Sequence, residues 1–168
     1  MKILIVGRDG FIGSELFTKM CANVGVTQVF GTSRRGHGTA LDLLNLAAGL
    51  DNLPQCDVVY LCAGVTRFVE CESDPLAYRG NVDAQIAIAR RWPWKVVYLS
   101  SDAVERALHT NYGMQKALCE IGLRAVCDPV IVRLPKVTPD ALGSVCEFLA
   151  YAVHLKPGVY RWPHEMPR

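Results

Sequence analysis

Tyr112 and Lys116 stand four residues apart in Tyr112-Gly113-Met114-Gln115-Lys116, a spacing that projects a phenol and an ammonium from one face of a helix. That pairing suits proton transfer. A free tyrosine titrates near pH 10, and bringing that value to about 7 takes roughly 4 kcal/mol of preferential stabilisation of the phenolate. One ammonium supplies part of it. A cationic ring beside the phenol would supply more and would couple the acidity of Tyr112 to the redox state of the ring.

A seat for such a ring opens the chain. In Gly7-Arg8-Asp9-Gly10-Phe11-Ile12-Gly13, the three glycines let a turn close tightly, bring backbone amides near a pyrophosphate and permit close packing of the helix that begins with Phe11 and Ile12. The position between a strand pattern and a helix pattern favours a dinucleotide cradle over an ordinary glycine turn. With Tyr112 and Lys116 downstream, the expected ligand is a nicotinamide cofactor. Where an NAD site would place an acid on the ribose hydroxyls, this chain has Thr32-Ser33-Arg34-Arg35. Two guanidinium groups favour a 2′-phosphate, hence NADP(H) over NAD(H), the alternative being a solvated basic pair.

Four further positions carry two readings each. Asp42 could bond an adenine edge while Leu43 packs on the ring, or it could cap a short helix. Cys62-Ala63-Gly64 would let a cofactor ribose approach the backbone, or it simply ends a strand. Asn81, inside an apolar helix, could bond locally or hold a water near an active site. Ser101 could hydrogen-bond a substrate oxygen, or serve as a turn residue.

The elements that must position these groups alternate. Short runs rich in β-branched and aromatic residues predict strands over Lys2–Val6, Gln28–Thr32, Asp57–Leu61, Lys95–Ser100 and Val130–Leu134. Helical patterns cover Phe11–Cys21, Pro75–Arg91 after a capping Ser73 or Asp74, Tyr112–Ile121 stopped by Gly122, and Thr138–Leu155 stopped by Pro157-Gly158. Such alternation implies a Rossmann-like, doubly wound parallel sheet in a three-layer α/β/α arrangement, with ligands at the carboxyl ends of the strands. The tail from Arg161 reads as irregular.

Composition narrows the class. With 168 residues, 51% hydrophobic and 20% charged, residues 1–168 read as one domain with a substantial core. A net charge of +2 without a long Lys/Arg run argues against nucleic acid or an anionic membrane as partner. No apolar stretch is long enough to span a bilayer, and the amino-terminal run enters a glycine turn rather than a cleavage region, so a cytoplasmic protein is expected. Cys21, Cys56, Cys62, Cys71, Cys119, Cys127 and Cys146 are odd in number and form no Cys-x-x-Cys pair, which reads as reduced core thiols. Neither they nor His37, His109, His154 and His164 show metal-ligand spacing, and no metal is expected.

Taken together these segments resemble the extended short-chain dehydrogenase/reductase superfamily of NAD(P)-dependent sugar-nucleotide epimerases, dehydratases and 4-keto-sugar reductases. Gly7 to Gly13 is similar to its Gly-x-x-Gly-x-x-Gly, Cys62-Ala63-Gly64 to its Ala-Ala-Gly segment, and Leu99-Ser100-Ser101-Asp102-Ala103-Val104 to its Ser-Ser/Thr-Asp-x-Val strand end. The resemblance implies that Ser101 polarises the substrate oxygen and Tyr112 exchanges the proton. It also implies that Lys116 binds ribose and acidifies the phenol, while Asn81 supports the helix and proton path. Val132 to Val137, with Leu134, is similar to the segment that lines the nicotinamide, and Gly158-Val159-Tyr160 to the late strand of dTDP-4-dehydrorhamnose reductase-like members. The sizeable carboxyl-terminal lobe of such proteins has no counterpart here, since Val137 passes almost directly into the next helix pattern.

Three functions follow as expectations. The first is an NADP(H)-dependent oxidoreductase or sugar-nucleotide reductase/epimerase-like enzyme using Ser101, Tyr112 and Lys116 on a carbonyl or sugar-nucleotide substrate. The second is a non-catalytic NADP(H)-binding sensor or accessory subunit, favoured by the absent lobe. The third is a flavin or quinone reductase-like activity. Leu76, Ile86, Met114, Leu118 and Ile121 could pair across the two-fold axis of a homodimer or pack inside the monomer.

Overall fold

Every apolar residue of the first strand, β1 (Lys2–Val6), is buried, with Ile3 and Ile5 in one core cluster and Leu4 and Val6 in another. A strand apolar on both faces is stable in the interior of a sheet covered on both sides. The computed structural model, which describes residues 1–34, 36, 38–91 and 94–163, places β1 at that position. The other strands are β2 (Gln28–Ser33), β3 (Thr39–Ala40), β4 (Val58–Leu61), β5 (Lys95–Ser101), β6 (Val130–Leu134) and β7 (Gly158–Arg161), in the spatial order β3-β2-β1-β4-β5-β6-β7. All neighbours are parallel. This is the Rossmann-like α/β architecture that the alternation implies.

Period-two alternation gives each sheet face its own core. On one face Ile3, Ile5, Tyr60, Val97 and Val132 meet Leu16 and Met20 of α1 (Phe11–Cys21) and Val145 and Leu149 of α7 (Leu142–Tyr151). On the other, Leu4, Val59, Tyr98 and Ile131 meet Ile88 of α4 (Ala84–Arg90) and Cys119 and Leu123 of α6 (Asn111–Arg124). Short helices α2 (Phe68–Ser73), α3 (Leu76–Tyr78) and α5 (Ala103–Arg106) fill the connections.

Several boundaries differ from the sequence patterns for identifiable reasons. The Pro75–Arg91 pattern contains a π-helical turn at Arg79–Asp83 between α3 and α4. Its cap is Asp74, whose Oδ1 accepts from the Leu76 amide at 2.9 Å, while Ser73 bonds back to the Val69 carbonyl. Gly122 does not stop α6. A Cβ there would lie 2.2 Å from Ile86 Cδ1, so this glycine permits close approach of α6 to α4 and the helix continues to Arg124. The last helix begins at Leu142 rather than Thr138 and ends in a 3-10 turn at Ala152–His154. α2, α5 and β3 are too short to leave a period in the sequence. Of the apolar residues expected in a dimer or a core, Ile86 packs against the core, whereas Leu76, Met114, Leu118 and Ile121 are on the surface. All seven cysteines are free. Cys71, Cys119 and Cys146 are buried, and Cys21 is exposed at the end of α1.

The register matters most for function. Val6 pairs with Thr32 on one side and Leu61 on the other, and Ser101 pairs with Leu134, so the carboxyl ends of the central strands open along one rim. Chain order reverses on either side of β1, the switch point at which open parallel sheets form a crevice.

Candidate functional site

Gly7 adopts φ +88°, a left-handed conformation, and a Cβ on it would lie 2.7 Å from the Ala63 Cβ at the end of β4. The loop then folds back on itself. The Gly10 amide donates to the Gly7 carbonyl at 3.0 Å, and a Cβ on Gly13 would approach that same carbonyl oxygen to 2.1 Å. β2 fixes the loop from the side, because the Thr32 hydroxyl accepts from the Gly7 amide at 3.1 Å and the Thr32 carbonyl from the Arg8 amide at 3.1 Å. Gly10 occupies the cap position of α1 without a side chain to satisfy its first amides. An unobstructed turn at the amino end of an eleven-residue helix fits a pyrophosphate group.

From this turn a cleft of about 820 Å³ extends along the strand ends. Ser33, Arg34, Asp42 and Leu43 line one end, while Gly7, Gly10, Phe11, Ile12, Gly13, Cys62, Ala63 and Gly64 line the middle. Ser101, Tyr112, Lys116 and Leu134 line the far end. The tertiary structure therefore gathers into one groove residues separated by more than a hundred positions in the chain. Arg35 lies outside the described residues. Asp42 also closes a local turn, its Oδ1 accepting from the Leu44 amide at 3.1 Å, and does not cap a helix, since the next 3-10 turn begins at Leu46.

Asn81 does not line the cleft. Its Oδ1 accepts from the Val65 amide at 2.7 Å, and its Nδ2 donates to the Val65 carbonyl at 3.0 Å and to Gln115 Oε1 at 2.8 Å. These bonds clip the loop after β4 to the middle of α6, and Gly64 is small because a Cβ there would sit 2.7 Å from Asn81 Oδ1. Asn81 therefore bonds locally and holds Val65, which lines the groove, against α6.

At the far end, Tyr112 lies in the first turn of α6, which Thr110 begins by accepting the Gly113 amide at 3.1 Å. Ser101 lines the groove with Tyr112; its hydroxyl donates to Asp102 Oδ1 at 3.4 Å and its Oγ accepts the Ala103 amide at 3.2 Å. Tyr112 packs on Phe68 with ring centroids 5.2 Å apart. Lys116, one turn on, is 7% exposed, and its ammonium donates to the Leu99 carbonyl at 2.8 Å. It lies 4.8 Å from the Tyr98 ring centroid and 6.0 Å from that of Tyr112. The acidification expected of Lys116 is not what this arrangement gives. Burial raises the Tyr112 phenol above its ordinary value, opposed by the neighbouring Ser101 hydroxyl, and burial lowers the Lys116 ammonium below its own. The ammonium has turned toward the strand carbonyl rather than the phenol.

Asp9 and Phe68 are among the lining residues that escaped the sequence reading. Asp9, between the first two glycines, accepts a hydrogen bond from the Ser33 hydroxyl. Its signal was an acid inside a turn otherwise suited to anions. Phe68 is half-exposed at the mouth beside Tyr112, and α2 is too short for any pattern to place it there.

Residues 1–137 match the model of the family described as the RmlD substrate binding domain. Comparison with the curated proteins finds no match. Among solved structures, a dTDP-4-dehydrorhamnose reductase from Clostridium acetobutylicum is 20% identical with a TM-score of 0.80, the alignment covering 96% of this chain and 73% of that one. The ADP-L-glycero-D-manno-heptose-6-epimerase of Helicobacter pylori is 19% identical with a TM-score of 0.75, covering 95% and 76%. A protein from Listeria innocua is 13% identical with a TM-score of 0.75, covering 96% and 99%. At these identities the likeness establishes the fold.

Proposed function

Since the chain belongs to the RmlD substrate binding domain family, we propose that it is an NADP(H)-dependent oxidoreductase of the sugar-nucleotide reductase and epimerase kind, with Ser101, Tyr112 and Lys116 at its reacting end. The observation that carries this reading is the placement of Ser101, Tyr112 and Lys116 together at one end of the groove whose middle is the glycine turn. A bound nicotinamide would supply or accept the hydride. Gly7, Gly10 and Gly13 would hold the pyrophosphate on backbone amides, Ser33 and Arg34 would face the adenosine ribose, and Cys62 to Gly64 with Leu134 would form the floor. Arg34 favours a 2′-phosphate and hence NADP(H).

Ser101 orients the substrate oxygen, and Tyr112 passes its hydroxyl proton to that oxygen in the reductive direction. The phenol carries its proton at neutral pH, and burial, which weakens it as an acid, leaves the transfer to be driven by the negative charge developing on the substrate oxygen. Lys116 serves by position, its charge buried beneath the groove where an incoming ribose hydroxyl can compete with the Leu99 carbonyl for it. The surface residues Met114, Leu118 and Ile121 on α6 and Leu76 on α3 support a homodimer. No helix among the described residues is long and apolar enough to cross a membrane.

The test is Tyr112→Phe assayed with NADPH and a panel of keto-sugar nucleotides. Turnover should fall at least 100-fold, in line with the usual contribution of a positioned acid, while cofactor affinity stays within about threefold. Equal turnover by the variant would sink the assignment of Tyr112, and failure of the wild type to bind either nicotinamide dinucleotide would remove the whole reading.

A further inference from the structure

Beneath the groove one buried amide joins two of its walls. Gln85, at the start of α4, is 0% exposed, and its Nε2 donates to the Ala63 carbonyl at 3.0 Å and to the Gly80 carbonyl at 2.9 Å. Ala63 and Gly80 both line the groove, whereas Gln85 does not. Ala63 follows β4 and abuts the glycine turn, where a Cβ on Gly7 would lie 2.7 Å from the Ala63 Cβ. Gly80 sits in the π-helical turn Arg79–Asp83, which the Ala84 amide closes onto the Arg79 carbonyl. A Cβ on Gly80 would lie 3.6 Å from Leu44 Cδ2 and 3.9 Å from Leu43 Cβ, two leucines of the groove's other end.

The donors explain the residue type. The two hydrogens of a primary amide diverge from one nitrogen, so a single side chain satisfies two carbonyls and holds them at a fixed separation. A lysine would carry a charge into an enclosed position, and an apolar side chain would leave both carbonyls without this donor. Gln85 Oε1 is buried with no hydrogen-bond partner among the described residues, a cost that methionine or leucine would avoid, so packing alone does not account for the amide. The π turn makes the bridge matter. It places consecutive residues on two walls, Gly80 against the leucines and Asn81 against Val65. Rewinding that turn as α-helix would rotate both residues away from those walls.

We propose that Gln85 is a positioning residue of the dinucleotide site: by bridging Ala63 to Gly80 it fixes the π turn and sets the distance between the glycine turn and the wall formed by Leu43 and Leu44, so that one cofactor molecule spans both. This rests on the reading that the groove holds a nicotinamide dinucleotide. Gln85 acts through the backbone of Ala63 and Gly80 and touches no ligand, so it tightens NADPH and NADH alike.

The test is direct binding of NADH and NADPH, by nicotinamide fluorescence, to the wild type, Gln85→Met and Gln85→Glu, under conditions where circular dichroism shows each chain folded. Gln85→Met fills the same space without donors, and both affinities should fall about tenfold or more while their ratio stays within about twofold. Competing 5′-AMP, which occupies the adenosine end alone and spans nothing, should keep its affinity within about threefold. Gln85→Glu supplies a readout that general damage to the core does not produce. Burial holds a carboxyl here above its usual pKa, and it donates one hydrogen when protonated and none when ionised. Its NADH affinity relative to wild type should therefore fall between about pH 5.5 and about pH 9, by up to about tenfold per unit, and this arm decides the case if Gln85→Met does not fold. Dinucleotide affinities within twofold of wild type in Gln85→Met, an equal loss for 5′-AMP, or a Gln85→Glu ratio that does not change with pH overturns the proposal while leaving the cofactor site standing. Failure of the wild type to bind either dinucleotide overturns the site itself.

Discussion

Glu120 and Arg133 meet in two hydrogen bonds, Nε to Oε1 at 2.9 Å and Nη2 to Oε2 at 2.7 Å, joining α6 to the neighbouring strand β6. Glu120 also accepts the Ser100 hydroxyl at 2.6 Å. The carboxylate is 2% exposed and stands one turn beyond Lys116, so it anchors to the sheet the helix that presents Tyr112 and Lys116. Paired charges of this kind hold geometry more than they add stability, but leaving one partner alone is costly.

Glu120→Gln keeps the shape and removes one of the two carboxylates that Arg133 faces, Glu105 being the other. Urea denaturation should show a loss of ~2 kcal/mol, equivalent to a fall in Tm of roughly 4–8 °C for a chain of this size. A loss below about 1 kcal/mol, the range of an exposed pair, would mean that the anchor is dispensable.

Gly13 and Gly143 make a matched pair of glycines in opposite environments. A methyl on Gly13 would reach the Gly7 carbonyl at 2.1 Å, whereas nothing lies within 4 Å of one on Gly143. Gly13→Ala should displace the turn, cost about 2 kcal/mol as an overpacked site and weaken dinucleotide binding at least tenfold. Gly143→Ala, in α7, should stabilise by about 0.5 kcal/mol from helix propensity and leave binding unchanged. Equal behaviour of the two variants in denaturation and fluorescence titration would show that the turn yields to a side chain.

Burial pushes the Cys119 and Cys146 thiols up to about 11 from an ordinary value of 9.0. Between those values the native chain keeps protons that the unfolded chain has lost, so the contribution of these thiols is fully present below pH 9.0 and is lost as pH rises toward about 11. Each thiol adds a downward slope of at most about 1.4 kcal/mol per pH unit. Urea midpoints measured from pH 8 to pH 11 should fall more steeply for the wild type than for a Cys119→Ala, Cys146→Ala double variant. Parallel slopes would show that these thiols do not drive the alkaline loss.

The sequence by itself determined the layers and the groove. Runs apolar on both faces, such as Lys2–Val6 and Val130–Leu134, have no stable place except inside a covered parallel sheet, and their boundaries match the folded strands to the residue. The glycines of the turn were legible because a Cβ at Gly7 or Gly13 has nowhere to go, and Tyr112 and Lys116 because helical spacing alone puts them on one face. Only the tertiary structure decided which partner each polar group takes. Gly122 reads as a helix stop until Ile86 is seen packed against it. Asn81 reads as a site residue until its amide is seen spent on Val65 and Gln115. The Lys116 ammonium reads as the phenol's partner until it is seen on the Leu99 carbonyl. The reason is common to all three: periodicity fixes which face a side chain occupies, while hydrogen bonds and burial depend on atoms that arrive from distant parts of the chain.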